Sequence, residues 1–204
     1  MKQNNSLLLE EIKLANKALK EHKVICFPTE TVMGLAVFYD DFEAYNLLNT
    51  IKQRPEDKPY TMMVKSVEEI YKYAYVDEKA EKIIKKYMPG SLTVLLPVRE
   101  NVPGWVTHDS GVIGIRIPTN EIGLSLLQNI EKPILVPSCN KSGQKPAKTL
   151  KEAKEIFSDE VEFYVSGDAG SGVASTIVDL SKNEISLIRE GQIPFEDILN
   201  LLKC

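Results

Sequence analysis

The stretch Val24-Ile25-Cys26-Phe27-Pro28-Thr29-Glu30-Thr31 reads as a short apolar strand, stopped by proline, that runs straight into a polar turn. Just before it, Leu8, Ile12, Ala15 and Leu19 recur at the spacing of one helix face, which predicts a helix from about residue 7 to residue 21. A helix followed by a strand whose end carries hydroxyls and a carboxylate suits an α/β protein. Loops outside strand ends in such sheets hold ligands, because they converge while the sheet keeps them rigid. The turn 28–31 is therefore one wall of a candidate small-molecule site.

The rest of the chain keeps the same alternation. Asp41 caps a predicted helix carrying Phe42, Tyr45, Leu48 and Ile51 on one face, and 60–64 reads as a strand. Ser66-Val67-Glu68-Glu69 has the pattern of a capping box. Asp77 caps a helix with Ala80, Ile83, Ile84 and Tyr87 inward, broken by Pro89-Gly90. Strands follow at 92–96 and 112–117, then a helix from Asn120 to about Ile130 and a strand at 134–136. Thr149-Leu150-Lys151-Glu152 is a second capping box, and 161–165, 176–180 and 185–188 read as strands, the last two joined by a turn at 181–184. Pro194 reads as the first residue of a closing helix to Leu201. Such mixing predicts an α/β fold with a twisted mixed sheet, parallel and antiparallel, and flanking helices. No linker or repeat divides residues 1–204, which read as one domain.

Composition narrows the function. With 204 residues, 43% of them apolar, the chain buries a core without disulfides or a structural metal. A net charge of -4 argues against a protein that coats nucleic acid by bulk charge. Cys26, Cys139 and Cys204 are widely spaced, and the histidines are His22 and His108, so no structural zinc site is expected. Free thiols suit a reducing compartment. The N-terminus does not read as a signal peptide, and no apolar run approaches the roughly 18 residues of a membrane span. A cytoplasmic location without membrane contact is expected.

Four segments carry candidate chemistry. In Lys52-Gln53-Arg54-Pro55, followed by Lys58-Pro59, two cations two residues apart on an extended stretch would face one side and clamp a polyphosphate. A solvated helix C-terminus, where the dipole favours cations, is the reading these residues favour when taken alone. Between Lys132 and Lys151, Lys141, Lys145 and Lys148 add to the positive charge with no acid. Ser138, Asn140, Ser142 and Gly143 interleave with them, either as an anion loop or as a lysine-rich surface. Arg116 sits in the otherwise apolar strand Val112–Ile117, where it needs a salt bridge or an anionic ligand. Residues 167–172 read as a flexible loop, a lid or a connection. His108-Asp109 has no serine partner pattern, Met62, Met63 and Met88 suit the core, and Trp105 suits a packing anchor.

In combination these segments carry a resemblance. Phe27-Pro28-Thr29-Glu30-Thr31-Val32-x-Gly34-Leu35 resembles the signature opening of the YrdC-like family, the threonylcarbamoyl-AMP synthases. Lys52-x-Arg54-Pro55-x-x-x-Pro59, Pro89-Gly90-Ser91-Leu92-Thr93 and Arg116-Ile117-Pro118 are similar to its next motifs in order. Pro137-Ser138-Cys139-Asn140 with Ser142-Gly143, Ser175-Thr176-Ile177-Val178-Asp179 and Ile188-Arg189-x-Gly191 follow in the same order.

The resemblance implies the short, single-domain form of the fold, with a large basic cavity. It implies condensation of L-threonine, bicarbonate and ATP to threonylcarbamoyl-AMP and pyrophosphate, for the threonylcarbamoyladenosine modification of tRNA beside the anticodon. Transfer to tRNA would fall to a separate threonylcarbamoyl transferase complex, leaving at most weak tRNA or RNA contact here. By the same resemblance Thr31, Arg116 and Ser175 hold threonine, and Lys52, Arg54, Ser138, Asn140 and Arg189 hold ATP, with Lys58 and Ser142 contributing. No side chain is implied as a covalent nucleophile, and Mg²⁺ would be held mainly by the ATP phosphates. The chain departs from the family pattern at Met33 (usually tyrosine), Met63 (near a histidine that touches threonine), Cys139 (often alanine) and Ala174 (often proline). An RNA-binding or ribosome-assembly factor of the same fold is the alternative. Another is a carbamoyl-adenylate former like the related domains of hydrogenase-maturation proteins.

Overall fold

The computed structural model describes residues 2–54 and 59–203, with side chains from residue 6 onward. Pro55 and Lys58 of the expected clamp, and Cys204, lie outside the described residues. The nine strands among the described residues are β1 (Ile25–Phe27), β2 (Gly34–Phe38), β3 (Met62–Met63), β4 (Leu92–Pro97), β5 (Val112–Arg116), β6 (Ile134–Leu135), β7 (Phe163–Tyr164), β8 (Thr176–Asp179) and β9 (Ser186–Arg189). They form one sheet in the order β7-β1-β2-β6-β3-β5-β4-β8-β9. Its β1–β7, β3–β5 and β4–β8 pairs are parallel and the others antiparallel, the mixed sheet expected from the sequence.

The helices are α1 (Lys2–Lys20), α2 (Phe42–Lys52), α3 (Val67–Tyr73), α4 (Glu78–Tyr87), α5 (Gly104–Thr107), α6 (Glu121–Asn129), α7 (Leu150–Phe157) and α8 (Phe195–Leu201). Most begin where a short polar side chain satisfies an otherwise unpaired backbone N–H. Asp41 accepts from Ala44 N, Asp77 from Ala80 N, and Asn120 from Ile122 N and Gly123 N. At Thr149 both arms of the capping box form. At Ser66 only one does: its hydroxyl accepts from Glu69 N, while the Glu69 carboxylate takes Lys65 N instead. Pro194 stands one residue before α8, in extended conformation, rather than inside it.

Two features had no sequence signal of their own. One is α5, a single turn whose Trp105 packs on Tyr45 with ring centroids 4.7 Å apart, the anchor role expected for it. The other is β2. All five of its residues are buried, Leu35 and Val37 facing one core cluster and Ala36 and Phe38 the other, so polar alternation is absent.

Alternation along the strands separates these two clusters. On one face Cys26, Leu35, Val37, Met62, Val94, Ile115 and Val178 pack with Leu48 of α2, Ile83 and Ile84 of α4 and Ile198 of α8. On the other, Ile25, Phe27, Ala36, Phe38 and Ile134 pack with Ile12, Ala15 and Leu19 of α1 and Leu126 and Leu127 of α6. That second cluster reaches β3 at Met63 and takes in no residue of β5, β4, β8 or β9. The same sheet face is thus covered by helices at one end and left to polar residues at the other.

The β8–β9 end is closed by Gly191. A Cβ there would stand 2.2 Å from Ala174 O and 2.6 Å from Thr176 N. That proximity lets the Thr176 hydroxyl accept from Gly191 N at 2.9 Å. Gly191→Ala forces these backbones apart, and we expect a stability loss of about 1–3 kcal/mol, read as a lowered denaturation midpoint with an unchanged slope.

Candidate active site

Pro28 ends β1, and the chain folds into a turn held by its own hydroxyls. Thr29 Oγ1 donates to Val32 O at 2.7 Å and also lies 2.8 Å from Thr31 Oγ1. Because the single Thr29 hydroxyl proton goes to Val32 O, Thr31 is the donor in the hydroxyl pair. Loop 167–172 is a connection laid along this turn: Gly170 N, Ser171 N and Gly172 N donate to Thr29 O, Glu30 O and Thr31 O at 2.9, 3.0 and 2.7 Å. Gly170 permits the approach, since a Cβ there would meet Glu30 O at 2.4 Å.

Arg116, the last residue of β5, is 4% exposed. Its Nε donates to Gly90 O at 3.1 Å, one terminal nitrogen donates to Thr31 Oγ1 at 3.2 Å, and the other forms an ion pair with Glu30. The salt-bridge reading of this residue is thus met by Glu30, and the same guanidinium lines a cavity. A guanidinium has five N–H donors, so these three bonds leave one on each terminal nitrogen. Opposite Arg116, Ser175 Oγ lies 3.0 Å from Thr93 Oγ1 and accepts from Arg189 at 3.2 Å, while Arg189 Nε donates to Ser175 O at 3.0 Å. Burial, and then the nearby Arg116 charge, lower the Arg189 pKa.

Sheet register explains why these groups converge. Met63 pairs with Arg116 across β3–β5, Thr93 with Ile177 across β4–β8, and Ile177 with Arg189 across β8–β9. The Val94–Ile115 pair sets Thr93 opposite Arg116, so the row continues across the sheet. These residues, with Thr29, Thr31, Arg54, Tyr60, Ser138 and Ser175, line a cavity of about 220 Å³. A second recess of about 440 Å³ shares Arg54 and Ser138 with it and is completed by Lys52, Gln53, Asn140, Ser142 and Gly143. Neither recess has a carboxylate among its described lining residues.

The sequence picture of the Lys52–Arg54 clamp needs correction. Lys52 is the last residue of α2, not part of an extended stretch, and Gln53 turns the chain through a left-handed conformation (φ 52°). Lys52 is 1% exposed, and its ammonium donates to Ser138 O at 2.6 Å, Asn140 O at 2.7 Å and Asn140 Oδ1 at 3.5 Å. Burial, and then the Arg54 charge, push its pKa down to about 7. Arg54 lies over the Tyr60 ring, 4.4 Å from its centroid, and donates to Pro59 O at 3.0 Å. Asn140 is held by its own loop, with Nδ2 donating to Lys141 O and Gln144 O. Lys58 cannot be placed with these residues because it lies outside the described ones.

Several participants carried no role in the sequence. Thr93 sits in an apolar strand as Arg116 does, and that shared oddity was the available signal. Glu30 was legible only as part of the turn 28–31; its pairing with Arg116, and that of the Gly90 carbonyl, offered no signal, since these contacts span 86 and 26 residues. Cys26 and Cys139 are buried free thiols, 3.7 Å apart, in contact behind the second recess. No helix among the described residues is long and apolar enough to cross a membrane, and no group of histidine, cysteine, aspartate or glutamate among them is arranged to hold a metal.

Known proteins share this fold. The chain is 35% identical over 190 residues to the threonylcarbamoyl-AMP synthase of Pyrococcus abyssi, an alignment covering 92% of this chain and 56% of that protein. The crystal structure of P. abyssi Sua5 complexed with L-threonine superposes with a TM-score of 0.89 at 34% identity, covering 94% of this chain and 57% of that one. The crystal structure of E. coli YciO gives a TM-score of 0.84 at 26% identity and covers 92% of both chains. The chain thus spans little more than half the length of the P. abyssi relatives and nearly all of YciO. With residues 17–191 matching the Sua5/YciO/YrdC family, whose description is telomere recombination, this chain belongs to that family.

Proposed function

We propose that the chain condenses L-threonine, bicarbonate and ATP to L-threonylcarbamoyl-AMP and pyrophosphate, as a nucleotidyltransferase supplying the threonylcarbamoyladenosine modification of tRNA. The observation that carries this reading is the pair of joined recesses, with Arg116 and Arg189 in one, Arg54 at the junction, and no carboxylate among the described lining residues. A small zwitterion beside a polyanion matches that distribution. The P. abyssi relative named as a threonylcarbamoyl-AMP synthase, and the P. abyssi Sua5 complex with L-threonine, support it over an RNA-binding role.

In this reading the two open N–H groups of Arg116 take the threonine carboxylate as a fork, with Thr31 and Ser175 flanking it. Arg54, Ser138, Asn140, Ser142 and Arg189 hold ATP, with Lys58 contributing and Lys52 acting through its bonds to the loop that carries Ser138 and Asn140. The threonine amine must lose its proton and take up carbon dioxide or bicarbonate. The carbamate oxygen then attacks the α-phosphate in line, and pyrophosphate leaves. The protein's part is to align these groups and to offset charge developing on the phosphates, with no covalent enzyme intermediate. For Mg²⁺ the described lining offers no carboxylate, and Glu30 pairs one oxygen with Arg116 and keeps the other buried, so the phosphates themselves would supply most of its ligands. The product would pass in the cytoplasm to a separate tRNA-modifying complex.

Purified protein is expected to release pyrophosphate from ATP only when L-threonine and bicarbonate are both present. Release that ignores threonine, or that requires carbamoyl phosphate, contradicts the reading. Arg54→Ala should lower kcat/KM for ATP by about 10–100-fold, the loss of one or two charge-assisted hydrogen bonds, while Cys139→Ala stays within about twofold. Arg116→Lys keeps the charge but not the fork and should raise KM for threonine by about tenfold or more, measured at saturating ATP.

A further inference from the structure

We infer that Lys52 is a positioning residue: it holds the backbone of residues 138–142 in the shape that faces the nucleotide and makes no phosphate contact itself. This rests on the proposed function only for what the loop binds.

A lysine ammonium has three N–H donors, and the loop oxygens Ser138 O, Asn140 O and Asn140 Oδ1 use all of them. Turning toward a phosphate would break bonds of 2.6 and 2.7 Å around a side chain that is 1% exposed, leaving Ser138 O only its 3.0 Å bond from Asn140 N and taking from Asn140 O the donor that Lys52 supplies. The contact is also reciprocal. The last carbonyls of a helix lack intrahelical partners, and here the loop supplies them: Ser142 N donates to Lys52 O at 2.8 Å and Lys141 Nζ to Ile51 O at 2.7 Å. Helix end and loop thus satisfy each other from both sides. The two carbonyls that Lys52 gathers flank Cys139, so the ammonium sets the spacing between Ser138 and Asn140, whose side chains meet at 2.6 Å. Arg54, two residues on, lines both recesses and is the cation that the proposed function sets against phosphate.

Hydrogen–deuterium exchange on the ligand-free Lys52→Met protein tests this, beside steady-state kinetics. Amides of residues 138–144 should exchange about tenfold faster or more, KM for ATP should rise about tenfold, and KM for threonine should stay within about twofold. Unchanged loop exchange, with or without weaker ATP binding, overturns the inference, and so does faster exchange with an unchanged KM for ATP. If the variant does not fold, amine acylation of the wild-type protein replaces it. Lys52 should stay unmodified without ATP while Lys151, whose side chain is 86% exposed, is labelled. Labelling of Lys52 at a similar rate, suppressed by ATP, sinks the idea. Exchange and acylation need no turnover, so a failure of the threonine-dependent reaction would leave both readouts intact.

Discussion

The Arg116 guanidinium is the charge around which the site is assembled. Removing an unpaired charge from water costs several kcal/mol, so a guanidinium that is 4% exposed requires partners wherever the chain can supply them. Those partners come from the turn after β1 and the turn before β4, segments that the fold brings to the end of β5. Glu30 offsets one positive charge. Arg189, lowered in pKa by burial and by Arg116, lines the same cavity, which has no carboxylate among its described lining residues. The resulting field points into the cavity and favours an anion there.

The sheet makes that field usable by leaving part of one face uncovered. Helices α1 and α6 cover the β1–β2–β6 region with an apolar cluster that stops at Met63. Beyond it the register row of Arg116, Thr93, Ile177 and Arg189 faces open space, while the reverse side of the same strands packs on α4 and α8. Backbone hydrogen bonds from 170–172 to 29–31 then fix the threonine-bearing turn against the sheet, so the cavity wall is rigid through main-chain contacts rather than long side chains.

What was legible in the sequence follows from the range of each interaction. Caps at Asp41, Asp77, Asn120 and Thr149 act over two or three residues, and all are found where the pattern placed them. The strand Gly34–Phe38 was not legible, because burial on both faces removes the alternation that marks a strand. Arg116 stood out in an apolar strand, Ser138 in a polar loop and Ser175 only through the family motif, and the fold does bring them to one cavity. The geometry of Lys52 was misread because the local pattern of two nearby cations carries no information about a loop 86 residues away. The pairing of Glu30 was hidden for the same reason, its partner also lying 86 residues off.

Two methionines define what the cavity can recognise beyond charge. Met33 and Met63 are both buried, both line the cavity, and Met63 is the register neighbour of Arg116. A thioether donates no hydrogen bond and accepts only weakly, so Met63 makes an apolar wall beside the Arg116 fork. The hydroxyls of the cavity are partly engaged already: Ser175 with Thr93 and Arg189, Thr31 with Thr29 and Arg116. Under the proposed reading, a histidine at Met63 could answer the threonine hydroxyl, whereas the thioether can only pack against its methyl. One buried methyl contributes about 0.8 kcal/mol, a factor of about four in affinity. Discrimination of threonine from serine on this wall is then limited to packing of that size, and finer selection falls to the arginine and hydroxyl side of the cavity.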